Sequence, residues 1–501
     1  MIKKVITRIV SIVPALVIQV LWYLLIIGFL SNYATLLTAI VSVLAFLFTI
    51  YIISKRDEGS YKILWLMIML LFPLLGAVLY MFMGNKNTGR ALGRKLAKTR
   101  DEMPIKQDDK SLSKLFQEDK RAAQTFDYMR KITGFQPVHN GSATYYPLGE
   151  DMFADMRVEL EKAEKFIFIE YFIIMEGTFW DTLTEILARK AAAGVDVRVM
   201  YDDLGSIATY SAKNVKKLID KGIKCIPFNP LIFIKGQLNN RDHRKIMVID
   251  GKTAFSGGVN ISDEYINVTH PHGHWKDIGF KITGEGVYGY TYMFMEFWNA
   301  FSPDKIPLTC LETGGSSADN DGYIFSYYDS PMNDEPASNT LYCELLSQAE
   351  RYVWFYTPYL MLGDTLMDAF VRAARRGVDV RIIMPGIPDK KLIYRLSRSY
   401  YRPLLTAGVK IYEYTPGFVH AKACICDDKI AAVGTVNLDY RSLFLHFECN
   451  SVFYGSKLID SVHTDYQNTL AQCQERTLDN MKEGLWQWIF DGILRIFAPL
   501  C

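Results

Sequence analysis

"HRKIMVIDGKTAFSGGVN", residues 243–260, and "HAKACICDDKIAAVGTVN", residues 420–437, are one text written twice. Aligned, His243 meets His420, Lys245 meets Lys422, Asp250 meets Asp427, Gly257 meets Gly434 and Asn260 meets Asn437. Any one of these is ordinarily a surface or satisfied residue; the full spacing repeated in two places is not chance. The duplication continues outward. "AAAGVDVRVM" (191–200) returns as "AARRGVDVRIIM" (373–384), each after a helical stretch and, before that, an apolar strand: "KFIFIEYFII" (165–174) and "RYVWFYTPYLM" (351–361). Strand, helix, strand is a βαβ unit with a parallel strand pair. A second helix and strand follow in each half, ending in "KGIKCI" (221–226) and "AGVKIY" (407–412). The sequence therefore predicts two homologous α/β lobes, each a mixed sheet flanked by helices, related by a pseudo-twofold axis. They span 131–310 and 323–480, joined by the Gly/Ser/Asp-rich stretch 311–322.

His and Lys at i and i+2 of a strand face the same way. Each HxK is thus expected to form a compact cationic pair. Gly257 and Gly434 are expected to let the backbone approach an anion, with Asn260 and Asn437 offering amide donors. Two such halves would focus two His, two Lys and two Asn on one phosphate. Cys424 and Cys426 alternate with His420 and invite a metal-site reading, but they align with Met247 and Ile249. They read as small core hydrophobes, and no metal site is expected.

The rest of the chain bounds the function. Its 501 residues exceed one ordinary domain. A net charge of +2 argues against a dedicated nucleic-acid binder. Eight cysteines without CxxC spacing read as free thiols in a reducing compartment. Residues 9–30, 34–53 and 63–83 are uncharged apolar runs, each near the ~20 residues that cross a bilayer core. They predict transmembrane helices within 1–85, followed by a basic connecting segment, 86–130. Counted over the flanks, six basic residues fall on each side, so the positive-inside rule does not set the orientation. Pro14, Gln19 and the short "SNY" connection leave the first run open as a re-entrant element. Residues 481–501 hold Trp486, Ile489, Ile493 and Ile496 at helical spacing, an amphipathic helix for a bilayer interface or for a lobe's flank.

The doubled HxKxxxxD with its trailing GGxN or GTxN resembles the phospholipase D superfamily. The apolar N-terminal runs, "EYFI" (170–173), "TPYLM" (357–361) and "RIFAPL" (495–500) are similar to bacterial cardiolipin synthases. One departure is Thr435 where Gly258 stands in the first half. The resemblance implies transfer of a phosphatidyl group without a cofactor. His243 attacks phosphorus and His420 serves as acid and base. Lys245, Lys422, Asn260 and Asn437 hold the phosphoryl oxygens. Asp277 and Glu448 orient the histidines, and Asp250 and Asp427 complete the motifs as anchors of the loop. It also implies phosphatidylglycerol as substrate used twice, cardiolipin and glycerol as products, and a bacterial plasma membrane with the lobes on the cytosolic side. The residues leave open which His attacks, and whether the acceptor is a lipid alcohol or water. A superfamily phosphodiesterase and a non-catalytic scaffold are the more distant alternatives. Oligomeric state is not legible.

Overall fold

The computed structural model describes residues 17, 20, 21, 24, 34–55, 57–80, 84, 90–230, 239–312, 320–481 and 484–500. The first lobe supplies β1 (Gly141–Tyr146), β2 (Phe166–Tyr171), β3 (Asp196–Asp202), β4 (Lys224–Phe228), β5 (Lys245–Ile249), β6 (Thr253–Gly257), β7 (His274–Lys276) and β8 (Gly279–Gly284). The second supplies β9 (Tyr323–Asp329), β10 (Tyr352–Tyr356), β11 (Asp379–Pro385), β12 (Lys410–Tyr414), β13 (Gly417–Val419), β14 (Ala423–Cys426), β15 (Ile430–Gly434), β16 (Glu448–Tyr454) and β17 (Cys473–Arg476).

The sheets run β1-β8-β6-β5-β2-β3-β4 and β9-β16-β15-β14-β10-β11-β12-β17. Apart from β17 at one edge, the order is the same, as duplication requires. Within each sheet β2/β3/β4 and β10/β11/β12 are parallel, and the remaining pairs antiparallel. The parallel strands are apolar and buried on both faces because crossover helices such as Thr178–Ala192 and Asp364–Arg375 cover them. Cys424 and Cys426 lie in fully buried β14, so the reading as core hydrophobes holds.

One core runs through both lobes, and a second, built almost wholly from first-lobe residues such as Ile167, Leu183 and Phe255, lies apart from it. Helix Val287–Phe301, apolar nearly all round, is buried along almost its whole length. Its Tyr290 hydroxyl lies 2.8 Å from Ser451 Oγ of the second lobe. The segment before residue 131 is more than a connector. Helices Arg90–Glu102 and Lys120–Thr133 pack into this core, through Arg100 Nε to Glu296 at 2.7 Å and Phe126 stacked on Phe325 at 5.6 Å.

At the N-terminal end, most of the first apolar run lies outside the described residues. The second forms helix Ala34–Ser54. The third is not one helix. Gly59–Leu71 ends at Phe72 (φ −138°, ψ 77°), and Pro73 opens Pro73–Leu79. Proline pushes the residue before it out of the helical region and opens the next helix without an N–H to lose. Among the described residues no helix is long and apolar enough to cross a membrane.

Candidate active site

The two HxK motifs do not sit inside strands, as alternation suggested. Lys245 opens β5 with His243 two residues ahead of it, and His420 and Lys422 lie between β13 and β14. The chain entering each histidine pairs instead with the opposite lobe. β13 runs parallel to β7, and Asp242 bridges Phe447 in the same sense. His420 N donates to Lys276 O at 2.7 Å, and His243 N to Phe447 O at 2.9 Å. In each case the accepting residue immediately precedes an orienting carboxylate.

Those carboxylates are exchanged between lobes. Glu448, from the second lobe, lies 2.8 and 2.9 Å from Nδ1 of His243 through its two oxygens. Asp277, from the first, lies 2.7 Å from Nδ1 of His420. All four side chains are buried. Fixing Nδ1 leaves Nε2 of each ring to face a substrate. Phe172 packs edge-on to His243 at 4.8 Å and Tyr265 edge-on to His420 at 5.2 Å.

The lysines complete the cluster. Lys245 Nζ donates to His243 O at 2.6 Å; Lys422 Nζ lies 2.8 Å from His420 Nδ1 and also donates to His420 O. Burial lowers Lys245 to about 8 and Lys422 to about 7, although Glu448 and Asp277 respectively oppose the shift. Burial, then Lys245 and Lys422, hold His243 well below the usual imidazole range. Burial and Lys422 bring His420 to about 4 against the pull of Asp277. Burial and the lysines thus favour the neutral form of both rings, and a negative charge brought beside them would favour protonation. The carboxylates differ. Burial raises Asp277, but His420 and Lys422 win and hold it low. Burial drives Glu448 well up against Lys245 and the hydroxyls of Ser442 and Thr435.

Thr435 opposes that rise and does not cause it. Its hydroxyl donates to Glu448 and accepts from Cys449 N at 3.0 Å. Gly258 stands at the matching place in the first lobe, where a Cβ would lie 2.0 Å from Asp277 Oδ1. The departure between the halves thus tunes one carboxylate and makes room for the other.

Several expected site residues do other work. Asp250 lies at the far end of β5 from Lys245, about 16 Å along the strand. Its carboxylate accepts the N–H groups of Glu164, Lys165 and Phe166 at 2.8, 2.7 and 2.8 Å. Asp427 takes those of Glu350, Arg351 and Tyr352 at 2.7, 2.8 and 2.8 Å. Each also opens a hairpin turn with two successive positive φ values, Asp250–Gly251 and Asp427–Asp428. They are anchors of the lobes and do not join the histidines.

Gly257 and Gly434 meet a neighbouring strand where an anion was expected. A Cβ on Gly257 would stand 2.5 Å from Gly279 Cα, and one on Gly434 2.4 Å from Cys449 O. Asn260 donates to the Tyr265 hydroxyl at 2.8 Å and accepts from Ile173 N at 3.3 Å, which leaves the second hydrogen of its amide nitrogen uncommitted by these two bonds. Asn437 Oδ1 is buried and without a partner among the described residues.

The motif reading overlooked the props around the histidines. Arg241, two residues before His243, grips Asp202 with Nε 3.0 Å from both oxygens. Lys276, beside Asp277, reaches Asp465 of the second lobe at 2.7 and 2.9 Å, where the Tyr145 hydroxyl also binds. Charged residues flanking a motif at an otherwise buried position were the available signal.

A family model described as "Cardiolipin synthase, PLD-like domain" matches residues 156–271 and 342–470, and "Phospholipase_D-nuclease N-terminal" matches 43–85. The chain is 40% identical to an uncharacterized protein of Streptococcus mutans, over 90% of this chain and 99% of that one. It is 30% identical to cardiolipin synthase 2 of Bacillus cereus, over 92% and 90%. It is 32% identical to the cardiolipin synthase of a Geobacillus species, over 90% and 91%. Among solved structures, a phosphatidylserine synthase of Haemophilus influenzae shares the fold with a TM-score of 0.57 at 16% identity, over 76% of this chain and 98% of that one. The chain belongs to the cardiolipin synthase family of the phospholipase D superfamily, as a phosphatidyltransferase.

Proposed function

We propose that the chain joins two phosphatidylglycerol molecules into cardiolipin and glycerol by way of a phosphohistidine. One observation carries the reading: two buried imidazoles, each held at Nδ1 by a carboxylate from the opposite lobe. Nε2 of His243 attacks phosphorus; the bond from phosphorus to the glycerol oxygen breaks, and His420 supplies the proton that oxygen needs. In the second step a hydroxyl of another phosphatidylglycerol gives its proton to His420. Its oxygen attacks phosphorus, and the phosphorus–nitrogen bond breaks to restore His243. Splitting one displacement into two lowers each barrier. Lys245 and Lys422, nearly dry in the site, stabilise charge on the phosphoryl oxygens far better than in water. The role of nucleophile for His243 follows the family resemblance.

The setting we infer is the bacterial plasma membrane, with the lobes on the cytosolic side. Helix Leu485–Ile496 packs on Lys391–Ser399 through Arg395 Nε to Asp491 at 2.7 Å, yet Trp486 remains 81% exposed, with Phe490, Ile493 and Phe497 exposed beside it. Leu70, 75% exposed, and Leu71 add to the bare apolar surface on a helix touching this one. Such a surface suits lipid, in which donor, acceptor and product all reside. In the decisive assay, the purified full chain receives phosphatidylglycerol and the products are identified. Cardiolipin with glycerol supports the synthase, and phosphatidic acid alone means water is the acceptor. His243→Ala should abolish both products; an unaffected rate would overturn the mechanism.

A further inference from the structure

The exchanged pairing around the histidines defines matching positions that are filled by unlike residues. Val419 pairs with Lys276, as Asp242 does with Phe447. One residue earlier, Phe418 stands opposite Trp275, and Arg241 stands in the place that matches Phe418, with His446 matching Trp275. Beside His243 the pair is polar, its arginine committed to Asp202. Beside His420 it is aromatic. The Trp275 ring lies 4.7 Å from Phe418, 4.9 Å from Tyr265 and 5.6 Å from His420, and Tyr265 is held in place by Asn260.

Trp275 is 5% exposed, and its Nε1–H has no hydrogen-bond partner among the described residues. An indole N–H can only donate, and buried donors are seldom left unpaired. Aromatic faces take the C–H side of a small polyol, while a donor at their edge takes one of its hydroxyls. We propose that Trp275, with Tyr265 and Phe418, forms the subsite for the alcohol that leaves or attacks at His420. The glycerol headgroup lies on the aromatic faces and accepts the Trp275 N–H at a hydroxyl that does not react. This rests on the proposed role of His420 as acid and base. It assigns headgroup selection to one side of the doubled site.

The test compares headgroup release from phosphatidylglycerol and from phosphatidyl-1-propanol, which lacks the second and third headgroup oxygens. In the wild type glycerol should leave about 10-fold faster than propanol, the worth of one hydrogen bond to a buried donor. Trp275→Phe keeps a ring and removes the N–H. It should bring the ratio to near unity by slowing glycerol release, with propanol release changed less than about threefold. An unchanged ratio in the variant overturns the subsite, and so does a ratio near unity in the wild type, which requires no variant to fold. Cardiolipin is scored in the same reactions. Cardiolipin with an unchanged variant ratio sinks the subsite alone, whereas phosphatidic acid alone sinks the synthase reading while the ratio still judges the subsite.

Discussion

Glu448→Gln tests the exchanged carboxylate most sharply, because the surrounding bonds dictate how glutamine must turn. Thr435 Oγ1 accepts the Cys449 N–H at 3.0 Å, and its own hydrogen has Glu448 as the nearer acceptor and Cys449 O, at 3.2 Å, as the farther one. A glutamine in that place offers its carbonyl oxygen to Thr435 and its NH2 to His243. That NH2, in the place of Oε1 2.8 Å from Nδ1, competes for the nitrogen with the oxygen in the place of Oε2 at 2.9 Å; where it donates, Nδ1 accepts, the ring proton moves to Nε2 and the lone pair that attacks phosphorus is lost. The lost charge-assisted bond is worth about 3 kcal/mol, roughly two powers of ten in rate, and the wrong tautomer adds to that. We expect Glu448→Gln to slow cardiolipin formation by about 10³-fold. Thr435→Val alone removes one donor to the carboxylate and should cost about tenfold. In the double variant the glutamine is free to turn its oxygen to Nδ1–H, so the pair should be faster than Glu448→Gln alone. The assay is the initial rate of radiolabelled phosphatidylglycerol conversion in vesicles, with acid-labile label on the protein as a second readout. Additive losses in the double variant, or a near-normal rate for Glu448→Gln, would refute the tautomer argument.

Asp277→Asn should impair His420 as an acid, so the loss should be about 100-fold for a glycerol leaving group and small for p-nitrophenol, which departs unprotonated; equal losses would remove the acid role. Asp250→Ala breaks three bonds to backbone N–H, one buried and two part-buried, and strains a residue at φ +54°; we expect about 4 kcal/mol less stability by denaturant titration. The rate per folded molecule should stay within threefold, and a stable but inactive Asp250→Ala protein would return that residue to the chemistry. Acid should loosen the fold. His420 sits at about 4 when folded against 6.5 as a free imidazole, so between those values the unfolded chain binds the extra proton. Stability is fully present above pH 6.5 and falls by about 3 kcal/mol as pH approaches 4. His420→Asn should flatten that slope in thermal unfolding at pH 7 and pH 5.

The two lobes, the parallel strand–helix–strand unit in each and the paired HxK motifs were legible because duplication turns a weak motif into a comparison. His243 against His420 and Lys245 against Lys422 are visible without any structure. What spacing could not reveal was membership across the lobes. Asp277 follows Asn260 and Glu448 follows Asn437 along the chain, yet each serves the other lobe's histidine, because β7/β13 and Asp242/Phe447 pair between lobes. The HxK alternation looked like strand for a related reason: the backbone before each His is extended, but its hydrogen bonds leave the sheet. Asp250 keeps its fixed spacing in the motif through a turn and three amide bonds. The third apolar run hid its break at Pro73, since hydropathy does not register a missing N–H.

The exchange also explains why both copies of the motif are intact in one chain. A lobe by itself holds a histidine without its carboxylate and a carboxylate without its histidine. Either lobe alone therefore has a ring of unfixed tautomer and a buried acid lacking a partner, which is costly. Docking the lobes satisfies both at once, and the same pairing that seats His243 on Phe447 and His420 on Lys276 sets the aim of both rings. Any shift of one lobe against the other must move nucleophile and acid together. The Lys276–Asp465 pair, buried across that junction and one residue from Asp277, is placed to oppose such a shift. The shared core around helix Val287–Phe301 adds to that docking, so the two rings are held as one unit.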